Sequence, residues 1–120
     1  MRYMLLIYDQ ETKLDAMSEP DRAAMHQQYY EFIADIRKNG TFLAGDPLQR
    51  TRTATTVRAK NGKTLTIDGP FAETKEQLGG YFMVEAKNLD EAIAIAARIP
   101  SVHGGGSVEV RPIMEMDFPT

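Results

Sequence analysis

The sequence predicts an α+β domain of the split βαβ, or ferredoxin-like, plan, with a hairpin inserted in its middle. Three observations lead there. Two segments with helical apolar spacing, Pro20–Lys38 and Leu89–Ile99, each lie between strand-like runs. The dipeptide Asn61-Gly62 joins two β-branched stretches and marks a tight hairpin. Finally, the runs Arg2–Tyr8 and Tyr81–Glu85 are apolar at both odd and even positions, so both faces of the sheet they build need cover. At 120 residues the chain is one domain, 1–120, with room for a real core.

The elements follow in order. Arg2–Tyr8 is a strand, and Asp9–Met17 a polar connection. Ser18-Glu19-Pro20-Asp21 opens a helix: serine caps, proline suits the first turn, and the acids favour the positive helix end. Met25, Tyr29, Phe32, Ile33 and Ile36 form its apolar stripe. Arg37-Lys38-Asn39-Gly40 closes it with cations and a C-cap glycine. Thr41–Gly45 is a short strand that stops at Asp46-Pro47. Thr53–Ala59 and Thr64–Ile67 are the hairpin strands, and Asp68–Gly80 is a loop. After the strand Tyr81–Glu85, Asn88 caps a second helix, with Glu91 in the reciprocal capping position. Its inner face reads as Leu89, Ala92, Ile93, Ala96 and Ala97, which leaves Ile95 and Ile99 off that face. Pro100 stops the helix, Gly104-Gly105-Gly106 forms a flexible approach, and Ser107–Ile113 is the last strand. The tail, 113–120, reads as loose because Asp117 and Pro119 interrupt it.

In this plan both helices cover one face of the sheet. The other face is also apolar and is an association surface. The economical cover is a second copy packed sheet on sheet, so the sequence predicts a homodimer.

Bulk properties narrow the function. A formal net charge of −3 and a pI near 5.4 lack the basic footprint of a nucleic-acid binder. The chain has no cysteine, hence no disulfide or thiolate metal site. That suits a cytoplasmic location. No run reads as a targeting segment or a membrane span.

Candidate chemistry is sparse. His26 lies at the edge of the first helical stripe and reads as a surface histidine or an acid/base group. His103, ahead of three glycines, reads as a loop residue or one that swings over a pocket. No ligand spacing joins the two, so no metal site is expected. Asp68, Glu73 and Glu76 read as carboxylates for acid/base work, or as a turn former and a salt-bridged rim with Lys75. Arg50, Arg52, Arg58, Lys60 and Lys63 form a basic stretch without an acid, either a solvated hairpin or a hold for a small anion. It has no interleaved aromatics for single-stranded nucleic acid. The three glycines follow a helix, so they are not a dinucleotide fingerprint, and no cofactor is expected. The site expected from these residues is Arg58, Asp68, Glu73, Lys75, Glu76 and His103, near a helix–sheet cleft or a dimer rim.

Four segments carry a resemblance. Met1–Tyr8, Ala54-Thr55-Thr56-Val57-Arg58, Asp68–Gly80 and Val108-Glu109-Val110-Arg111-Pro112 resemble the DGPF-domain group of the YCII-related (YciI-like) proteins. The resemblance implies a bacterial protein, a ferredoxin-like protomer and a dimeric α+β barrel, often encoded beside extracytoplasmic-function sigma factors. It also implies a histidine on the first helix and an aspartate before the proline after the second. Those positions fall on Tyr29 and Ile99, so that acid/base pair does not carry over. Three functions follow as expectations. The first is a ligand-binding or accessory protein. The second is a small enzyme using His26 or His103 with Asp68 or Glu73. The third is a module that docks on a sigma factor through Ile95 and Ile99.

Overall fold

The computed structural model describes residues 1–118. Its elements run β1 (Arg2–Asp9), α1 (Glu11–Asp15), α2 (Glu19–Lys38), β2 (Phe42–Pro47), β3 (Thr55–Lys60), β4 (Lys63–Asp68), β5 (Gln77–Glu85), α3 (Leu89–Ala96), α4 (Pro100–His103) and β6 (Ser107–Pro112). A 3-10 turn at Thr51–Thr53 precedes β3. The main sheet has the order β2-β5-β1-β6, and every neighbouring pair is antiparallel. This is the ferredoxin-like arrangement, with β3 and β4 forming a separate two-stranded sheet.

Strand alternation sorts the central strand. Tyr3, Leu5 and Ile7 are buried beneath the helices, together with Phe82 and Val84 of β5. Phe32 and Ile36 of α2 complete that side, and Phe32 meets the Phe82 ring edge-on at a centroid distance of 5.3 Å. The opposite face presents Met4 beside Met83 and Leu6 beside Tyr81, all half-buried. Among the described residues no helix lies on it.

The second helix departs from the expected phase. Ala92, Ala96 and Ile99 are the buried positions, and Ile95 packs against the core. Leu89 and Ile93 are each 48% exposed, and Ala97 is also exposed. The helix ends at Ala96, and the chain then turns at Ile99 into α4, with Pro100 at its first position. That turn swings Ile99 inward, a change of direction that a periodicity count cannot register. The contact expected of Ile95 and Ile99 with a partner therefore belongs to the core.

Other boundaries shift as well. The connection after β1 contains α1. Strand β2 runs through Asp46 to Pro47, and β5 starts at Gln77, so the diglycine lies inside a strand. The tail is held as far as Glu115: Ile113 N–H donates to the Arg2 carbonyl at 3.0 Å, and the Arg2 guanidinium forks onto Glu115 with two bonds of 2.8 Å. These bonds pull the Glu115 carboxyl below its ordinary range. Pro119, expected to loosen the tail, lies outside the described residues.

The hairpin turns on Asn61 and Gly62, both with positive φ (52° and 76°), as a two-residue loop of the primed type requires. Nearly every residue of β3 and β4 is exposed, including Val57, Leu65 and Ile67. The arm stands away from the body. It raises the radius of gyration to 16.5 Å, where a compact chain of this length gives about 13.6 Å. Among the described residues no helix is long and apolar enough to cross a membrane.

Candidate functional site

A cavity of about 510 Å³ opens between α2 and the end of the sheet where β2 and β5 pair. Its construction begins with α1. The backbone N–H of Glu11 donates to Gln77 Oε1 at 2.9 Å, while the Glu11 carboxylate accepts from the Thr51 N–H at 2.8 Å and the Thr51 hydroxyl at 3.0 Å. Arg50 pairs with Asp15 at 3.0 Å. One short helix is thus tied to the start of β5 and to the base of the arm. Ser18 then caps α2, accepting from the Asp21 N–H at 3.3 Å, and Arg22 donates back to the Leu14 carbonyl at 3.0 Å. These contacts set α1 against the first turns of α2 and leave space beneath.

The wall on the sheet side is thin because Gly45 and Gly80 lie there. A Cβ on Gly45 would sit 2.5 Å from Phe82 Cδ1, so a side chain has no room. The lining combines Met17, Met25, Ile33, Leu48 and Phe82 with the polar residues Asp9, Arg22, His26, Tyr29, Asp46 and Arg50. Apolar walls with a few convergent polar groups are the usual composition of a small-molecule site.

One hydrogen-bonded chain stands out. Tyr29 Oη lies 2.6 Å from Ser101 Oγ, and Ser101 Oγ donates to Asp9 Oδ2 at 2.9 Å. Ser101 is only 4% exposed. An ionised carboxylate only accepts and a serine hydroxyl has one proton, so the serine proton goes to Asp9 and Tyr29 donates to Ser101. Burial pushes the Tyr29 phenol above its ordinary value; the Ser101 bond opposes this and the Asp9 charge adds to it. Elsewhere, Tyr81 Oη donates to Asp46 Oδ2 at 2.9 Å and bridges β5 to β2.

The residues expected to form a site are distributed differently. Arg58 and Asp68 are exposed on the arm, and Glu73 and Lys75 are exposed in the segment before β5. Glu76 is half-buried and accepts from the Ser107 hydroxyl at 3.0 Å. His103 does not swing over a pocket: its Nε2 lies 2.7 Å from the Ala97 carbonyl and closes the end of α3. In a single chain none of these six lines the cavity. The turn after β4 is closed by the Ala54 carbonyl and the Thr56 hydroxyl acting on Gly69, not by the Asp68 side chain. His26 does line the cavity, on an exposed position. Among the described residues neither histidine is paired with a carboxylate, and no three His, Cys, Asp or Glu side chains gather as a metal site.

Sequence similarity adds to this geometry. The profile of the YCII-related domain matches residues 1–117. The chain belongs to the YCII-related family. A relative 36% identical over 121 residues, spanning 94% of this chain and 92% of its own length, is the uncharacterised protein R00369 of Rhizobium meliloti (strain 1021). A solved structure to which the chain is similar is 5-chloro-2-hydroxyhydroquinone dehydrochlorinase (TftG) of Burkholderia phenoliruptrix AC1100, in complex with 2,5-dihydroxybenzoquinone. It aligns at a TM-score of 0.49 and 15% identity over 97% of this chain and 96% of that one.

Within this YCII-related chain, sequence reasoning missed Asp9, Ser101 and Glu11. One signal was available for Asp9. It continues the odd-numbered positions Tyr3, Leu5 and Ile7, so alternation places an acid on the helix-covered face. Ser101 gave no such signal, because its burial depends on the turn into α4. Tyr29 and Ile99, where the family resemblance implies a histidine and an aspartate, are half-buried and fully buried respectively.

Proposed function

We propose that this YCII-related protein is a homodimer that binds a small, largely apolar molecule in the cavity under α2, in an accessory or regulatory role. The observation that carries this is the cavity itself: about 510 Å³, with apolar walls and Asp9, Arg22 and Tyr29 converging on it. That volume falls within the roughly 300–1,000 Å³ of small-molecule sites. The dimer is supported by the helix-free apolar face. It is also supported by the arm, which a two-stranded sheet exposed on both sides does not stabilise alone. The arm and its base, residues 48–67, hold five of the fourteen cations and none of the seventeen acids, so a second, acidic copy is a complementary surface. The six residues Arg58, Asp68, Glu73, Lys75, Glu76 and His103 then belong to that contact or to a rim beside it.

A histidine-based enzyme finds less support, since among the described residues neither His26 nor His103 has a carboxylate within hydrogen-bond reach. Association with a sigma factor rests on the family resemblance alone. The test is to purify the protein from its own host beside an Ile33→Trp variant whose cavity is filled, and to compare released metabolites by mass spectrometry. A compound enriched with the native chain and absent from the variant supports the reading. Identical extracts, with both proteins folded, contradict it.

A further inference from the structure

The chain of hydroxyls behind the cavity has a direction, and the direction selects ligands. Both of its ends, Tyr29 and Asp9, line the cavity, while Ser101 is buried between them. With the Ser101 proton committed to Asp9 and the Tyr29 proton committed to Ser101, Tyr29 Oη has no proton left to offer. Its remaining lone pair has no protein donor among the described residues. Nor does Asp9 Oδ1. The cavity lining therefore includes a phenol oxygen that can accept a hydrogen bond and cannot donate one.

Resting on the proposed binding role, we infer that the cavity selects neutral ligands carrying a hydroxyl, which donates to Tyr29 Oη. An ether or ketone of the same shape can only accept and cannot pair with Tyr29 Oη. The lining charges offset one another, Arg22 and Arg50 against Asp9 and Asp46, so an ammonium group gains no net attraction to set against its loss of water. Tyr29 and Ser101 are thus specificity-determining residues, and Ser101 acts by orienting the Tyr29 proton rather than by touching the ligand.

The test uses the full chain and three probes that differ in one group: 1-naphthol, 1-methoxynaphthalene and 1-naphthylmethylamine. Dissociation constants are measured by titration calorimetry. The native protein is expected to hold the naphthol about five- to tenfold more tightly than the ether, the worth of one net hydrogen bond. Tyr29→Phe should bring that ratio down by at least half. Ser101→Ala should do something a packing defect would not: it frees the Tyr29 proton to be donated, so affinity for the ether rises. Equal binding of naphthol and ether, a ratio unchanged by Tyr29→Phe, or tightest binding of the amine would each overturn the selectivity and leave the cavity reading standing. If none of the three probes binds, the cavity reading itself fails, and the selectivity with it.

Discussion

The three consecutive glycines before β6 look interchangeable in the sequence, and the structure separates them sharply. A Cβ on Gly106 would lie 2.6 Å from the Tyr8 carbonyl and 3.1 Å from the Ser101 carbonyl, and would overlap Asp9 Oδ1. Tyr8 is held by its pairing with Ser107, so its carbonyl cannot retreat without opening the β1–β6 ladder. Asp9 can rotate, but only by giving up the proton it accepts from Ser101. Forcing one methyl into such a site costs about 1–3 kcal/mol, and losing a hydrogen bond to a charged acceptor costs about 1.5–3 kcal/mol more when it cannot re-form. Gly106→Ala should therefore destabilise by about 3 kcal/mol, lowering Tm by roughly 10 °C in a domain of this size. At Gly104 the nearest atom to a Cβ would be 3.8 Å away, an ordinary contact, so Gly104→Ala should stay within about 0.5 kcal/mol of the parent. Urea unfolding of both variants at unchanged m-value provides the comparison. A Gly106→Ala protein as stable as its parent, or a Gly104→Ala protein equally damaged, would refute the reasoning about how Asp9 is seated.

Other consequences are checked in the same way. Ile99→Ala should cost about 2–4 kcal/mol as a core deletion, whereas Ile93→Ala should cost less than about 0.5 kcal/mol; the reverse order in urea would restore the periodicity-based phase of α3. Tyr29 keeps its proton in the folded chain above the ordinary phenol value of about 10. As pH rises through that value the unfolded chain loses a proton that the native chain retains, so stability present below about pH 10 falls above it. Tyr29→Phe should remove this part of the alkaline loss, and parallel stability curves for the two proteins above pH 10 would show that Tyr29 contributes nothing. Leu6→Lys places a charge on the helix-free face and should halve the mass seen by light scattering while the circular dichroism is unchanged. A dimer that survives the change would move the interface elsewhere.

Much of the architecture was legible because period and capping report on local physics. Ser18, Asn88 and Asn61-Gly62 acted where their side-chain chemistry said they would. The two-sided apolarity of β1 marked the face that no helix covers. The failures share a cause: they lie where the chain changes direction through tertiary contacts. Helix α1 is short and polar, and is held by Gln77 and Thr51 from remote segments. Ile99 and Ser101 are buried by the turn into α4. The exposed charges of the loop after β4 stand out in the sequence, whereas Asp9, Arg22 and Tyr29, which line the cavity, each look ordinary in isolation. Only the packing of α2 against β1 brings them to one cavity.

The most direct measurement is a ¹H–¹⁵N chemical-shift map of the protein titrated with a panel of small naphthyl and phenyl fragments. Saturable shifts are expected at the amides of residues 9, 25, 29, 33, 45, 46, 48 and 79–82, with the arm, 55–68, unmoved. Fragments that gather on the arm, or that shift no amide around the cavity at millimolar concentration, would contradict it.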